Sequence, residues 1–484
     1  MRKKGRIEEL RIETPEISSL LLVALFVAVL ITGAVPLGIP GQWVWPRRAV
    51  PLWGTSAILA LVALTAGAGS FLLFLKRPPK ARWAWMAVPF GLALVVRLLF
   101  FHAEPTPIVK QIWVTASPVS NAYFPEALRA RPATELVRNY TLLLPKLAEH
   151  ARTHPPGPIL YYKAFLWVCK NFRPLVAVAD RWATGVGGLS LSETAALVGG
   201  RTGLPLDETS VAAALWAQVG LCVLSAGSVL ACFLLALSLG LDRKTALGAA
   251  ALLSLSPSAN LFSITIDTAV SLACALSLLF TVKGEQEGWP FLGLSGFMLY
   301  LASFLSLSAL ATGAMCGLYI LLSRGGSLKG RLARIGWMGL GFLLTHALVG
   351  VTLGFDLFWV IAHGLVAHRE VTVAFERSYF GWLILNPLDF ATLSGLPICV
   401  LAWAGRGEER SKCLLLAFLL TLGALDISGM VRGEVARIWL FLLVPLCVLG
   451  GVGLERVRLP VPHLLLLALQ AVSAKVWLDA VRPF

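Results

Sequence analysis

Apolar runs of about 20 residues recur along this chain of 484 residues, and they constrain its fold more than any other feature. A helix of that length crosses the hydrocarbon core of a bilayer, which is roughly 30 Å thick. Inside lipid, each backbone N–H and C=O must be paired within its own segment, so the runs are predicted to be helices. Only 14% of the residues are charged. We therefore expect an all-α bundle of membrane-spanning helices.

Thirteen apolar runs meet this criterion. They share a length close to the thickness of the hydrocarbon core and a scarcity of charge, and they lie at 18–38, 52–75, 83–101, 210–239, 245–262, 264–282, 291–306, 308–323, 334–353, 386–404, 411–428, 435–453 and 461–476. The longest stretch between two runs, 102–209, is predicted to be a large loop outside the cytoplasm that carries short helices.

The distribution of Lys and Arg predicts the orientation of the helices. If the N-terminus is cytoplasmic, the short inner segments carry more than twice as many Lys and Arg as the short outer ones, in agreement with the positive-inside rule. The net charge of +15 is then a topology signal with the lipid bilayer as partner, and it does not indicate nucleic-acid binding. The polar segments 102–209, 354–385 and 429–434 are all predicted to lie outside the cytoplasm.

The outer segments carry their own local signals. Apolar residues recur at helical spacing in 121–131 and 134–152, which predicts two short amphipathic helices. Residues 186–207 are rich in Gly, Ser and Thr and are predicted to be mobile. Segment 354–385 is predicted to be an interfacial helix, with Phe355, Phe358, Trp359 and Ile361 facing lipid.

Two histidines, His150 and His154, stand four residues apart in the sequence HARTHPPG. This spacing places both side chains on one face of a helix, which the Pro-Pro-Gly sequence then ends. Three interpretations are open: ligation of a metal ion, a helix end at which the dipole favours His, and contact with a phosphate or a substrate. The Glu that a metalloprotease motif requires between the two histidines is absent.

Polar residues early in the long outer segment are candidates for catalysis. In the sequence SNAYFPEA, Asn121 and Glu126 either line an active site at the membrane surface or only begin a helix. Asn is a good helix cap, and an acid is favoured in the first turn of a helix. Glu135 is a further acid in the same segment.

Two arginines flank an acid in the sequence RGEVAR. Arg432 and Arg437 can bind a phosphate through two parallel hydrogen bonds, or they pair with Glu434 and extend towards water. A helix that begins here would add backbone N–H donors for the same anion. Three more polar residues with a predicted place on this side of the membrane are Asp267, Arg377 and Tyr379.

The order of these segments resembles the GT-C superfamily of polytopic glycosyltransferases, which includes protein O-mannosyltransferases and the aminoarabinose transferase of lipid A. The resemblance covers roughly 85–480 and is carried by SNAYFPEA (120–127), THPPGPILYY (153–162), SPSANLFSITIDTA (256–269), RSYFGWLILNPLDF (377–390) and RGEVARIWLFLLVP (432–445). It implies that 83–484 is a GT-C-like transmembrane domain and that 1–82 is an N-terminal addition of two spans.

The resemblance also implies an activity, the transfer of a sugar from a polyprenyl-phosphate donor to an acceptor outside the cytoplasm, in a bacterial plasma membrane. The family usually places an acid, often Asp, early in the first outer loop as base or metal partner. This chain has Asn121 there, with Glu126 just over one turn later. Either Glu126 or Glu135 takes over that role, or transfer activity has been lost. A divalent metal ion is left open as a cofactor.

Two other functional classes fit a polytopic protein. A transporter or lipid flippase would place ionisable residues near the membrane midplane and would use broken helices. A catalytically inactive membrane scaffold with a GT-C-like fold would explain Asn121 in place of the acid. The transferase is preferred because the acid, His and Arg motifs are predicted to lie on one side of the membrane.

Overall fold

The structure is a computed structural model that describes residues 2–52, 55–76, 84–129, 131–323 and 325–482. The described chain is almost entirely helical, and the helices follow one another through short connections. In chain order they are α1 (Arg2–Thr32), α2 (Thr55–Lys76), α3 (Ala84–His102), α4 (Pro107–Ala116), α5 (Tyr123–Leu128), α6 (Ala133–Arg138), α7 (Tyr140–Leu143), α8 (Glu149–Arg152), α9 (Gly157–Asn171), α10 (Arg173–Gly187), α11 (Leu191–Thr202), α12 (Glu208–Ser238), α13 (Arg243–Leu255), α14 (Pro257–Leu261), α15 (Asp267–Glu287), α16 (Trp289–Leu305), α17 (Leu310–Leu322), α18 (Leu328–Leu353), α19 (Leu357–Ala374), α20 (Tyr379–Ala404), α21 (Glu409–Ser428), α22 (Val435–Ile438), α23 (Leu443–Arg456) and α24 (Pro460–Trp477).

Between α1 and α2 the chain forms a small antiparallel hairpin of strands β1 (Gly38–Ile39) and β2 (Trp43–Val44). Single 3₁₀ turns precede α17 and α23 and follow α7.

Seven helical segments within the described residues are long and apolar enough to span a membrane, which confirms a helical membrane bundle. They are Thr14–Thr32, Ala84–His102, Glu208–Ser238, Asp267–Glu287, Leu328–Leu353, Tyr379–Ala404 and Glu409–Ser428. Shorter apolar helices at Trp289–Leu305 and Leu307–Leu322 coincide with predicted spans. The count of thirteen spans stays a prediction.

The connections between helices gather at two ends of the bundle. We call the end formed by 33–52, 103–207, 256–266, 354–378, 429–442 and 478–482 the cap end, and the end formed by 239–242, 285–288, 325–327, 405–408 and 455–459 the connector end. Ion pairs join segments of the same end. At the cap end Arg437 pairs with Asp267 at 3.6 Å, and at the connector end Arg334 pairs with Glu285 at 2.8 Å.

Small residues let the central helices approach closely. A Cβ atom at Gly453 of α23 would overlap the carbonyl oxygen of Leu401 in α20, and one at Gly451 would lie 2.8 Å from the carbonyl oxygen of Thr245 in α13. Close packing of this kind holds helices together in lipid, where burial of apolar surface contributes little.

Three local predictions in the cap end need correction. The predicted helix 134–152 is four short pieces, because Asn139 ends α6 and Pro145 lies in the 3₁₀ turn after α7. The segment 186–207, predicted to be mobile, contains α11, which begins with a capping box formed by Ser190 and Glu193. Phe355, predicted to face lipid, is 2% exposed and packs with the buried residues of the cap.

The N-terminal segment packs closely on the rest of the bundle. The Trp45 indole N–H donates to the Asp389 carboxylate in α20, and the side-chain oxygen of Gln42 accepts from the Ser378 backbone N–H at 2.8 Å. The hairpin between α1 and α2 therefore lies beside α20 and the cap-end loop that follows α19.

Candidate functional site

Charged and aromatic side chains from four separate parts of the chain meet at the cap end. We call this group the cap-end cluster and define it by Tyr123, His150, His154, Asp267, Glu434 and Arg437. The three charged side chains are partly open to solvent, with exposed fractions of 18% for Asp267, 29% for Glu434 and 21% for Arg437. Solvent therefore reaches part of each charged side chain, while Oδ2 of Asp267 itself is buried.

Arg437 lies at the centre of the cluster between two carboxylates. Its guanidinium is 3.0 Å from the Glu434 carboxylate and 3.6 Å from Oδ2 of Asp267. The longer contact is not a hydrogen bond, and Oδ2 of Asp267 has no hydrogen-bond donor among the described residues. The predicted residues Asp267, Glu434 and Arg437 thus come together, with one carboxylate oxygen free to accept a proton or a hydrogen bond.

The segment that carries Arg437 has a strained backbone held by polar residues of α20. Gly433 has φ of +89°, and Glu434, which is not a glycine, has φ of +59°. The side-chain oxygen of Asn386 accepts from the Gly433 N–H at 2.9 Å, and its amide donates to the Val431 carbonyl at 2.9 Å. Asp389 accepts from the Ala436 N–H at 3.3 Å. Such strain persists only where the surroundings enforce it, and it concentrates at functional sites.

Arg377, Arg432 and Tyr379 support this segment rather than face open space. The guanidinium of Arg377 donates to the carbonyl oxygen of Arg432, and the guanidinium of Arg432 donates to the carbonyl oxygens of Arg377 and of Gly429. The Tyr379 hydroxyl donates to the carbonyl oxygen of Ile427 at 2.7 Å. Arg432 therefore has fewer donors to offer a phosphate than Arg437 has, and Arg377 shares the Glu434 carboxylate with Arg437, at 3.8 Å.

His150 and His154 form an aromatic group with Tyr123. The ring centroids are 5.3 Å apart between the two histidines, 5.5 Å between Tyr123 and His150, and 5.4 Å between Tyr123 and His154. Nδ1 of His154 lies 2.9 Å from the Thr153 hydroxyl, whereas its Nε2 has no partner among the described residues. The predicted pair is thus part of the site, with one ring nitrogen available for a ligand.

The surroundings keep both histidines neutral. Burial, with smaller effects of His368 and Arg437, lowers the pKa of His154 to about 4, against a hydrogen bond to the His150 backbone that raises it. Burial also lowers the pKa of His150 well below its ordinary value, followed by the effect of His154. A neutral imidazole next to Arg437 accepts or donates a hydrogen bond without adding a repelling charge.

Asn121 reaches the cluster through a tyrosine. Its amide donates to the Tyr162 hydroxyl at 2.8 Å, and its side-chain oxygen is buried without a hydrogen-bond partner. Burial raises the pKa of Tyr162 to about 12, and the nearby Asp267 raises it as well, so the hydroxyl stays protonated. Asn121 therefore lies one side chain away from Asp267.

The two predicted glutamates lie outside the cluster. Glu126 is 6% exposed and forms an ion pair of 3.1 Å with Arg129 on the next helical turn. Burial, and then the charge of the Glu126 carboxylate, raises the pKa of Tyr140. The Tyr140 hydroxyl donates to the His154 carbonyl at 2.6 Å. Glu135 is exposed on α6. The carboxylates beside Arg437 are those of Asp267 and Glu434.

Within the described residues, no group of three or more His, Cys, Asp and Glu side chains is arranged to hold a metal ion. The third histidine of the site, His368, instead bonds to the carbonyl oxygen of Met430 at 2.9 Å. This contact ties α19 to the segment that leads to Arg437.

Four residues of the site were not predicted from the sequence. They are Tyr123, Tyr162, His368 and Asp389. Asp389 could have been found from the sequence, because it lies in an apolar run. Burying an acid in a membrane span costs free energy, so an acid at such a position is a candidate for a functional role. Tyr123 and Tyr162 lie within the SNAYFPEA and THPPGPILYY sequences, but only the folded cap brings their side chains towards Asp267.

No protein-family model, no curated protein and no solved structure matches this chain. The assignment of function therefore depends on the chemistry of the cap-end cluster.

Proposed function

We propose that the protein is a GT-C-like membrane glycosyltransferase that moves a sugar from a polyprenyl-phosphate donor to an acceptor at the cap end. In this proposal the chain has thirteen spans, a cytoplasmic N-terminus and a place in a bacterial plasma membrane. The cap end, with its large loop, lies outside the cytoplasm. Outside the long loop 103–207, the segments near the connector end carry more Lys and Arg than those at the cap end, which supports this orientation.

One observation carries the proposal: an unpartnered carboxylate oxygen lies next to a guanidinium at the membrane boundary. Oδ2 of Asp267 has no donor, and Arg437 is 3.6 Å away. Sugar transfer needs a base for the acceptor hydroxyl and a cation for the departing phosphate. Asp267 supplies the acid that Asn121 lacks, so this site does not require Glu126 as the base.

The transfer step balances with these two groups. The oxygen of the acceptor hydroxyl forms a bond to the anomeric carbon of the sugar, and its proton goes to the Asp267 carboxylate. The bond between the anomeric carbon and the phosphate oxygen breaks, and the electron pair leaves with the lipid phosphate. Arg437 stabilises the charge that develops on that phosphate, and Tyr123 and the neutral histidines contact the sugar.

A transporter has one observation in its favour, which is a broken helix. Gly395 interrupts α20 with φ of +124°, as in the discontinuous helices of transporters. The free backbone groups are already paired, however. The Leu396 N–H donates to the side chain of Gln470 at 3.0 Å, and the same side chain donates to the Thr392 carbonyl at 2.7 Å. Ser256 also donates to the Ser394 carbonyl at 2.6 Å. Protein side chains thus pair several backbone groups at the break, which favours the transferase.

The test is an assay of donor breakdown in liposomes. Purified protein is supplied with a panel of polyprenyl-phosphate hexoses, and release of polyprenyl phosphate is measured with and without peptide and glycan acceptors. Asp267→Asn is expected to lower the rate by about 10²- to 10⁴-fold, since it removes the general base. Asp180→Asn, which alters a carboxylate bonded to the Leu191 N–H at 2.8 Å outside the cluster, is the matched control.

Glu126→Gln separates the two candidate bases. If Asp267 is the base, Glu126→Gln retains most of the rate. A wild-type protein that consumes none of the donors, or an Asp267→Asn variant as active as wild type, would contradict the proposal.

A further inference from the structure

A second group of charges lies at the cap end, where the N-terminal segment, the start of the long loop and the C-terminal segment meet. The group consists of Arg48, Glu104, Lys110, Lys475 and Asp479, and it lines a small cavity of about 20 Å³ that is partly open to solvent. Leu261 and Ile264 form an apolar wall. We call this the Glu104 cavity. None of the residues that line it belongs to the cap-end cluster.

Glu104 is the anchor of the cavity. Its side chain is 3% exposed and accepts two bonds from Arg48, at 2.8 and 3.1 Å, one from Lys475 at 2.6 Å and one from Lys110 at 3.3 Å. Burial alone would raise the pKa of Glu104, but the charges of Lys475, Lys110 and Arg48 hold it at about 2. The carboxylate is therefore ionised and fixes three cations around one point.

The cations have more donors than the protein uses. One Arg and two Lys side chains carry eleven N–H donors in all. The structure assigns six bonds to them: three from Arg48 to Glu104 and the Lys475 carbonyl, two from Lys110 to Glu104 and Asp479, and one from Lys475 to Glu104. Five donors are left without an acceptor among the described residues. A ligand rich in acceptor oxygens would use them.

The net charge of the cavity and a buried hydrogen-bond acceptor further restrict the chemical class of ligand that it can bind. Three cations face two carboxylates, so the cavity carries one net positive charge. Gln111 also lines the cavity and is 4% exposed, and its side-chain oxygen is buried without a hydrogen-bond partner. This acceptor suits a hydroxyl, either a P–OH group or a hydroxyl on the carbon next to a phosphate.

We propose that the Glu104 cavity binds a phosphate group, as a second phosphate site separate from the cluster around Arg437. A phosphate has acceptor oxygens in several directions, which matches donors that come from three elements. The turn 262–266 separates the two sites, since Leu261 and Ile264 face the Glu104 cavity and Asp267 belongs to the cluster. The phosphate comes either from free phosphate or from a lipid headgroup.

The experiment measures ligand-dependent thermal stabilisation of the full chain in detergent. Inorganic phosphate and farnesyl phosphate are the two probes, and sulfate and farnesol at matched ionic strength are their controls. In the Arg437→Met variant, stabilisation by both probes identifies the phosphate group itself as the ligand of the cavity, and stabilisation by farnesyl phosphate alone identifies a lipid headgroup. Absence of any shift with either probe, or an equal shift with sulfate, overturns the proposal.

Three variants locate the bound phosphate. Lys110→Met is expected to weaken phosphate binding at least tenfold, because it removes a charge-assisted bond and one cation. Lys283→Met, which alters a lysine paired with Glu287 at the connector end, is the matched control and is expected to bind as wild type does. Arg437→Met is also expected to retain inorganic phosphate binding. Binding that is lost in Arg437→Met and kept in Lys110→Met would place the phosphate in the cluster and overturn the proposal.

A fourth variant has an effect of the opposite sign. Asp479→Asn removes a carboxylate that competes for Lys110 and adds one unit of net positive charge, so it is expected to tighten phosphate binding. A weaker affinity in Asp479→Asn would contradict the donor and charge argument even if Lys110→Met fails to fold. Because inorganic phosphate carries no sugar, failure here is distinguishable from failure of the proposed transfer reaction.

Discussion

Arginines that look alike in the sequence serve different purposes in the folded cap. Arg377 and Arg432 donate to each other's carbonyl oxygens, so their positive charges stabilise a turn. Arg437 meets only carboxylates and lies within electrostatic reach of Tyr123, His150 and His154. The sequence motif RGEVAR predicted phosphate-binding chemistry for both of its arginines. The different roles of Arg432 and Arg437 depend on contacts with residues far away in the sequence, which spacing along the chain does not reveal.

The neutral histidine next to Arg437 predicts a pH dependence of stability. In the unfolded chain His has a pKa near 6.5, whereas burial, His368 and Arg437 hold that of His154 at about 4, against a hydrogen bond to the His150 backbone that raises it. Between these values the unfolded chain binds more protons. Stability therefore rises with pH across this window, is fully present above about pH 6.5, and falls as the pH drops towards 4.

The contribution of His154 is at most about 3 kcal/mol, from a shift of this size. His154→Phe is expected to flatten the fall in the thermal midpoint between pH 6.5 and 4, measured against wild type. His363→Phe is the control, because His363 is exposed and stacks on Trp359 at 3.6 Å. A slope that stays the same in His154→Phe and changes in His363→Phe would count against a neutral His154.

At the scale of elements, the long helices were predictable and the cap was not. Apolar runs such as 411–428 and 334–353 correspond to α21 and α18, because lipid forces an apolar segment of this length into a helix. The helices of the cap are stabilised by contacts between elements. An example is α9, whose first residue Gly157 packs against the last turn of α16. The hydrophobic periodicity of a segment does not predict such contacts between elements.

The contact of Gly157 explains the Gly in THPPG and gives a second prediction. A Cβ at Gly157 would overlap the carbonyl oxygen of Phe304 and lie 3.0 Å from its carbonyl carbon. Gly157→Ala is therefore expected to move α9 or α16 and to lower the free energy of unfolding by about 1–3 kcal/mol, as overpacking does.

The matched control is Gly185→Ala in α10, where a Cβ meets nothing within 4 Å. This change is expected to be neutral or stabilising by up to about 1 kcal/mol, because Ala favours helix. Denaturation of both variants in detergent provides the comparison. Equal stability of Gly157→Ala and wild type would show that the approach of α9 to α16 is not tight.

At the scale of the whole molecule, the proposed function requires that the polar sites lie at one end of the bundle and on one side of the membrane. The cap end carries both the cluster around Arg437 and the Glu104 cavity, while the connector end carries basic connections such as 325–334. The sequence predicted that the polar motifs share one side, and the folded chain brings Asp267, His154 and Arg437 together. It did not predict which acid would meet Arg437, since Asp267 and Glu126 are separated along the chain by residues 127–266, which include α12.

Thiol labelling in intact bacterial cells tests the sidedness. Cysteines introduced by Ser192→Cys at the cap end and Lys329→Cys at the connector end lie at exposed positions. A membrane-impermeant maleimide is expected to label the first in intact cells and the second only after permeabilisation, with wild type as the background. Labelling of the Lys329→Cys variant alone in intact cells would place the cluster in the cytoplasm and contradict the proposed donor side.

The most direct test of the central claim is an experimental structure of the protein with a short-chain polyprenyl-phosphate sugar bound. We expect the phosphate to lie about 3 Å from the Arg437 guanidinium, the distance of a charge-assisted bond, with Oδ2 of Asp267 facing the anomeric carbon. A phosphate bound elsewhere, with Arg437 still closed on Asp267 and Glu434, would contradict the account.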